Sequence, residues 1–119
     1  MTATMETKRP QSRKRAKATN IRVVFPEDAV IKSPYAWQTM AAVVEIVGPH
    51  RVMEMDLARG LYPLVTEAPL PNLVNITDQK RLASGYYLYT KSSTIEKKMQ
   101  IEEMLKVAFP HVAVKVEII

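Results

Sequence analysis

The spacing of apolar residues predicts two main helices, and the first occupies residues 35–47. Four apolar residues recur there at the i, i+3, i+4 and i+7 spacing of one helix face: Trp37, Met40, Ala41 and Val44. Ser33 is predicted to cap this helix, with Pro34 at its first position. Gly48 and Pro49 are predicted to end it. Because few polar residues interrupt the stretch, we expect the helix to lie in the core or at a subunit interface.

The second main helix is predicted to begin after Ser93 and to end near Ala108. Ser93 and Glu96 have the spacing of a capping box, in which each side chain accepts a hydrogen bond from the other residue's amide. Pro110 prevents the helix from continuing. Its core-facing residues are predicted to be Ile101, Met104, Leu105 and Ala108.

Strands are predicted where β-branched and aromatic residues cluster or alternate with polar ones. The clearest strands cover residues 21–25, 86–90 and 112–119. Residues 61–65 also have strand composition, but Pro63 restricts them to a sheet edge. The pattern over residues 50–60 fits a strand and a short helix equally, so both alternatives stay open.

The remaining segments are predicted from their turn residues. Two prolines make residues 66–74 a loop. Residues 77–85 are predicted to form one or two helical turns, with Thr77 as the cap and Gly85 as the terminator.

Together these elements predict an α+β fold, with a small, largely antiparallel sheet packed by two main helices. The regular patterns begin at Ile21, which places a single domain at residues 20–119. Residues 1–19 contain almost no side chains that could enter a core. We therefore expect them to form a disordered arm, because burial cannot offset the entropy lost on ordering.

The net charge of +5 is concentrated in this arm. Against Glu6, the first 20 residues carry six basic side chains: Lys8, Arg9, Arg13, Lys14, Arg15 and Lys17. Of the chain's 17 basic and 12 acidic residues, this leaves 11 of each for the domain, which is therefore neutral overall. A polybasic arm is typical of phosphate binding or of nuclear targeting, and a solubilising tail is the alternative.

Residues typical of catalytic and metal sites are sparse. The chain has no cysteine, which removes disulfides and thiolate ligands and fits a reducing compartment. His50 and His111 lie far apart without ligand-like spacing. The sequence has neither a recognisable catalytic motif nor an apolar run long enough to span a bilayer. We therefore expect no enzyme activity, cofactor, metal or membrane, and a location in the cytoplasm or nucleoid, or in the nucleus of a eukaryote.

The turn before the second main helix is the best candidate binding site. The residues assigned to it are Lys91, Ser92, Ser93, Thr94, Lys97 and Lys98, with Lys80 and Arg81 as further positioning contacts. Hydroxyls and backbone amides at a helix N-terminus suit a phosphate oxygen, because the helix dipole is positive there. Short polar side chains at such a tip also reach base edges in a groove. The alternative is a helix cap without ligand.

The stretch from Tyr86 to Thr94 is an aromatic strand that ends in threonine and passes through a polar turn into a helix. Together with Lys97, Ile101–Glu102 and Phe109–Pro110, it resembles the C-terminal DNA-binding domain of the SeqA family, which sequesters bacterial replication origins. The likeness extends over about residues 59–110. It implies a turn inserted at DNA, where the family reads hemimethylated GATC.

The turn departs from the family at its two base-reading positions. Where the family has asparagines, this chain has Lys91 and Ser93. An asparagine side chain both donates and accepts at adenine, whereas lysine cannot accept. The resemblance therefore implies phosphate anchoring and the strand–turn–helix frame, with a basic arm in place of the family's N-terminal oligomerisation module.

Two functional hypotheses follow from the sequence. The first is a nucleic-acid-binding accessory protein, associated with the nucleoid or with replication, that contacts DNA rather than RNA. The second is a protein-interaction module, such as a small regulator, inhibitor or assembly subunit, without nucleic-acid contact. A protein partner, or a second copy of the chain, would bind through the helix at 35–47 or the strand at 112–119.

Overall fold

The computed structural model describes residues 19–119, and the prediction for the basic arm therefore falls almost wholly outside the described residues. Within that range the helices are α1 (Ala36–Val47), α2 (Pro49–Glu54) and α3 (Thr94–Ala108). The strands are β1 (Ile21–Val24), β2 (Val30–Ile31), β3 (Ala58–Arg59), β4 (Tyr62–Pro63), β5 (Val65–Thr66), β6 (Gln79–Arg81), β7 (Tyr87–Tyr89) and β8 (Lys115–Ile118). Two 3₁₀ turns, Pro26–Asp28 and Ile76–Asp78, complete the described elements.

The first sheet has the strand order β2-β1-β8 and is antiparallel throughout. Ile21 and Val23 alternate with polar or less buried neighbours along β1, so one face of the sheet enters the core. On the other face, Arg22 of β1 forms an ion pair of 2.8 Å with Glu117 of β8. The first and last strands of the described domain are thus direct neighbours.

The second sheet has the strand order β5-β7-β6, also antiparallel, and β3 and β4 form a separate hairpin. Leu88 lies at the centre of β7, opposite Val65 on one side and Lys80 on the other. Its side chain is fully buried. This central strand carries the chain directly into the turn before α3.

The core lies between the two main helices and the inner faces of the sheets. Helix α1 packs against α3, and each also contacts the first sheet. The largest fully buried side chains include Ile21, Met40, Leu64, Leu88, Ile101 and Met104. The mixed α+β class and the antiparallel pairing are confirmed, with the strands divided between small sheets instead of joined in one.

The start of α1 differs from the prediction, because Tyr35 and not Ser33 is its N-cap. The amide of Ser33 donates to Thr39 Oγ1 at 3.1 Å, and its carbonyl accepts from Asn20 Nδ2 at 2.7 Å. These bonds hold Ser33 against Asn20, just before β1, and against Thr39 in the first turns of α1, and the helix begins two residues later than a serine cap would place it. Gly48 ends α1 at a φ of 105°, as its lack of a side chain permits.

The prediction of helical turns over residues 77–85 is wrong for most of the segment. A single 3₁₀ turn forms, and Asn75 caps it by accepting from the amide of Thr77 at 3.0 Å. The chain then pairs with β7 as strand β6, because ladder hydrogen bonds along a buried central strand outweigh the weak local preference of so short a segment. The ambiguous residues 50–60 contain both alternatives, namely α2 followed by β3.

None of the helices in residues 19–119 combines the length and the apolar character needed to cross a bilayer.

Candidate nucleic-acid interface

The turn between β7 and α3 is fixed at its first residue to the 3₁₀ turn that precedes β6. The amide and hydroxyl of Thr90 both donate to the carbonyl of Asp78, at 2.7 and 3.1 Å. The amide of Ser92 then donates back to the carbonyl of Thr90 at 3.0 Å. The turn is therefore held in one conformation by its own backbone before the helix begins.

The capping box predicted at the start of α3 is present. Ser93 Oγ accepts from the amide of Glu96 at 3.1 Å, and Glu96 Oε1 accepts from the amide of Ser93 at 2.8 Å. Ser93 is exposed, so the cap lies at the surface. The amides of Thr94 and Ile95 occupy the first two helical positions, where the helix itself offers no acceptor. The tip consequently presents a hydroxyl and backbone donors to solvent.

Lys97 lies inside the turn and not on its surface. Its side chain is buried, with 6% of the residue exposed. Its Nζ donates to the carbonyls of Thr90 and Ser92 at 2.8 and 2.6 Å, and to Ser92 Oγ at 3.0 Å. Burial lowers the pKa of the Lys97 ammonium below its ordinary value, and the neighbouring Glu96 carboxylate opposes part of that shift. Lys97, assigned to the interface from the sequence, thus holds the turn together.

Replacing Lys97 with methionine is expected to lower the free energy of unfolding by about 1–3 kcal/mol, because three acceptors lose their donor. In the folded protein the pKa of Lys97 lies below the 10.5 of an unperturbed lysine. At pH values in the window between the folded pKa and 10.5, the unfolded chain therefore binds more protons than the folded one. The stabilisation from Lys97 therefore rises with pH across that window and levels off above it. Urea titrations at several pH values measure the difference between wild type and variant. Lys98→Met is the matched control, and a difference that is flat or falls with pH would contradict the assignment.

Lys91 and Lys98 lie at the surface near the tip, with 68% and 31% of their side chains exposed. Each has an acidic neighbour. Lys91 Nζ is 3.9 Å from a carboxylate oxygen of Asp78, and Lys98 Nζ donates to Glu102 at 2.9 Å. The tip therefore has polar donors but little uncompensated charge among the described residues.

Lys80 and Arg81 lie on β6, one strand away from β7. The ammonium of Lys80 lies 5.4 Å from the centre of the Trp37 ring, in a cation–π contact with α1. Arg81 is exposed and opposite Tyr87. The structure thus brings Lys91, Ser92, Ser93 and Thr94 together as one surface, hereafter the helix tip, while Lys80 is directed towards α1.

The start of the described chain lies against the helix tip. The hydroxyls of Thr19 and Thr94 are within hydrogen-bond distance, 75 positions apart in sequence. Sequence reasoning missed this contact, because two threonines in polar surroundings carry no signal of proximity. It places the point where the basic arm joins the domain directly beside the tip.

An aromatic cleft next to Lys91 also escaped the sequence analysis. The rings of Tyr62 and Tyr89 stack with centroids 4.8 Å apart, and Gly60 and Leu61 of the β3–β4 hairpin also line the cleft. The cleft is open and has a volume of about 290 Å³. Within residues 19–119, no cluster of three or more histidine, aspartate or glutamate side chains is placed to hold a metal.

Comparison with protein families, curated proteins and solved structures finds no match to this chain. The resemblance to the SeqA family thus stays a prediction from residues 59–110.

Proposed function

We propose that this protein binds nucleic acid, DNA in preference to RNA, through its basic arm and its helix tip acting as one surface. The proposal depends on the contact between Thr19 and Thr94, which brings the arm's junction to the tip. The proposal includes an accessory role at the nucleoid, or in the nucleus if the host is a eukaryote. The SeqA resemblance agrees with DNA as the ligand.

Chain length limits how far the arm's charges can lie from the tip. Lys17 is two residues from Thr19, so its Cα lies at most about 7 Å from that of Thr19. Arg13 is six residues away, within about 21 Å. The Cα atoms of four of the six basic residues therefore lie within about 21 Å of Thr19 whatever path the arm takes, which is less than one helical turn of duplex DNA, about 34 Å.

The arm and the tip have different tasks in this proposal. Residues 19–119 carry equal numbers of basic and acidic side chains, so the attraction to phosphate comes from the arm. The tip adds Ser93 Oγ and the amides of Thr94 and Ile95, which bind a phosphate oxygen with defined geometry. The arm thus supplies affinity, and the tip orients the domain.

Fluorescence anisotropy with labelled duplex DNA, single-stranded DNA and RNA of equal length tests the proposal. We expect the binding constant to fall steeply with salt, with a logarithmic slope of about 0.9 for each duplex phosphate neutralised. Duplex DNA is expected to bind more tightly than RNA. Absence of binding to all three polymers at low salt would reject the proposal.

Charge reversal at the tip separates its role from that of the arm. Lys91→Glu is expected to weaken binding to duplex DNA by roughly three- to tenfold, because it places a carboxylate beside the proposed phosphate contact. Lys106→Glu, an exposed lysine near the other end of α3, makes the same change in net charge and is the control. Equal affinities for the two variants in the anisotropy titration would exclude the tip from the interface.

A protein-interaction module remains the second candidate function, and the outer edge of β8 favours it. This strand is the last in the order β2-β1-β8, so one side of its backbone has no strand partner among the described residues. Such an edge can pair with another chain. A stable complex with a protein, together with no affinity for nucleic acid, would favour this function over the first.

A further inference from the structure

The outer edge of β8 is the longest open strand edge of the first sheet. The strand spans Lys115–Ile118 and pairs on one side with β1. A groove of about 270 Å³ lies between β8 and α3, with Leu105, Phe109 and Val114 in its walls. Ile118 is 39% exposed although it follows the core-facing Val116 on the same face. Apolar side chains at this edge are therefore partly exposed to solvent.

The hydrogen bonds to β1 determine which backbone groups face outward. Asn20 and Ile119 exchange both amide-to-carbonyl bonds, at 3.1 and 2.9 Å. Bonded and non-bonded pairs alternate in an antiparallel ladder. The amides and carbonyls of Val116 and Ile118 must therefore point away from β1, towards the open side, as does Val114 if the strand is continued backwards.

The side chains at this edge are self-complementary when the strand meets an antiparallel copy of itself. With Val116 opposite Val116, Lys115 of one copy faces Glu117 of the other, twice. On the inner face Val114 faces Ile118, also twice. The same register makes Val116 a hydrogen-bonded pair, which matches the outward direction of its backbone groups.

Other arrangements lose this match. Shifts of two residues keep the hydrogen-bond phase, but set Lys115 opposite Lys115 or Glu117 opposite Glu117, so that like charges face each other. A parallel, in-register pairing would stack like charges directly on one another. Within the sheet, Glu117 already contacts Arg22, so the antiparallel copy would place it between two cations.

We propose that two copies of this chain associate through β8, antiparallel and centred on Val116, to form a continuous six-stranded sheet. The dimer buries the apolar residues that now end in solvent and satisfies the open backbone edge. Formation of this dimer requires no nucleic acid. Its test is therefore independent of the test of the function proposed above.

The dimer is tested by reversing the charge of single residues and then mixing the two variants. Analytical ultracentrifugation of the full chain, over a wide range of concentration, measures self-association. Lys115→Glu and Glu117→Lys each create two like-charge pairs, and each is expected to weaken self-association by about tenfold or more. An equimolar mixture of the two variants restores both attractive pairs, so it is expected to form a heterodimer. Lys32→Glu and Glu67→Lys, exposed residues away from β8, are the charge-matched controls.

Three results would overturn the proposal. They are a wild-type chain that stays monomeric throughout, a dimer unaffected by either reversal, and a mixture that associates no better than its components. Amide hydrogen exchange provides a measurement on the wild type alone, should a variant not fold. Protection of the Val116 and Ile118 amides is expected to rise with protein concentration, and protection that is independent of concentration would equally exclude pairing at this edge.

Discussion

Removal of residues 1–18 is expected to lower the affinity for duplex DNA by about a hundredfold or more at moderate salt. These residues carry six of the chain's 17 basic side chains and the whole of its +5 net charge. Each phosphate that they neutralise releases condensed counterions, which is the main source of sequence-independent affinity. The logarithmic salt slope is therefore expected to fall by up to about 5.

Two full-length controls test whether the affinity depends on the positive charge of the arm or only on the arm being present. A chain with all six basic arm residues changed to glutamine should bind as weakly as the truncated one. A chain with the same arm residues in shuffled order should bind as tightly as the wild type, because phosphate attraction depends on charge and not on order. Undiminished binding by the truncated protein would assign the affinity to the domain.

Leu88→Ala is expected to lower the free energy of unfolding by about 2–5 kcal/mol, because it opens a cavity in a core that cannot fully collapse. Leu88 is fully buried at the centre of β7, between strands on both sides. The corresponding fall in melting temperature is roughly 10–20 °C for a domain of this size. Because β7 leads into the turn, the variant should also loosen the helix tip.

Leu61→Ala is the matched control for this prediction. The substitution removes the same atoms, but Leu61 is 96% exposed in the β3–β4 hairpin. Its effect on stability is expected to lie within about 0.5 kcal/mol. Thermal and urea unfolding, followed by circular dichroism, measure both variants. Similar losses at the two positions would contradict the burial of β7.

The sequence predicted those elements whose signals are strong and local. The capping box of Ser93 and Glu96 placed the start of α3 correctly, because both partners lie within four residues. Gly48 likewise marked the end of α1. Alternating valines indicated β8, although the strand begins at Lys115 and not at residue 112.

The sequence could not predict features that depend on distant partners. Ser33 is a good cap residue, but bonds to Asn20 and Thr39 fix it elsewhere. Lys97 has the same local sequence signal as Lys98, yet carbonyls of the preceding turn bind its ammonium inside the fold. Whether a lysine on a helix points to solvent or to a carbonyl depends on the path of the chain before the helix, which periodicity does not report.

The pairing of β1 with β8 also has a consequence for how the domain folds. Arg22 and Glu117 are 95 positions apart, so forming this ladder closes a loop that takes in nearly the whole domain. The entropic cost of that closure is about 4 kcal/mol before any contact repays it. The helices and the β6–β7 hairpin need far shorter loops, so they can form ahead of the ladder. The pairing of the first and last strands of the described domain is therefore expected to be the slow step of folding, because contacts that are distant in sequence form late.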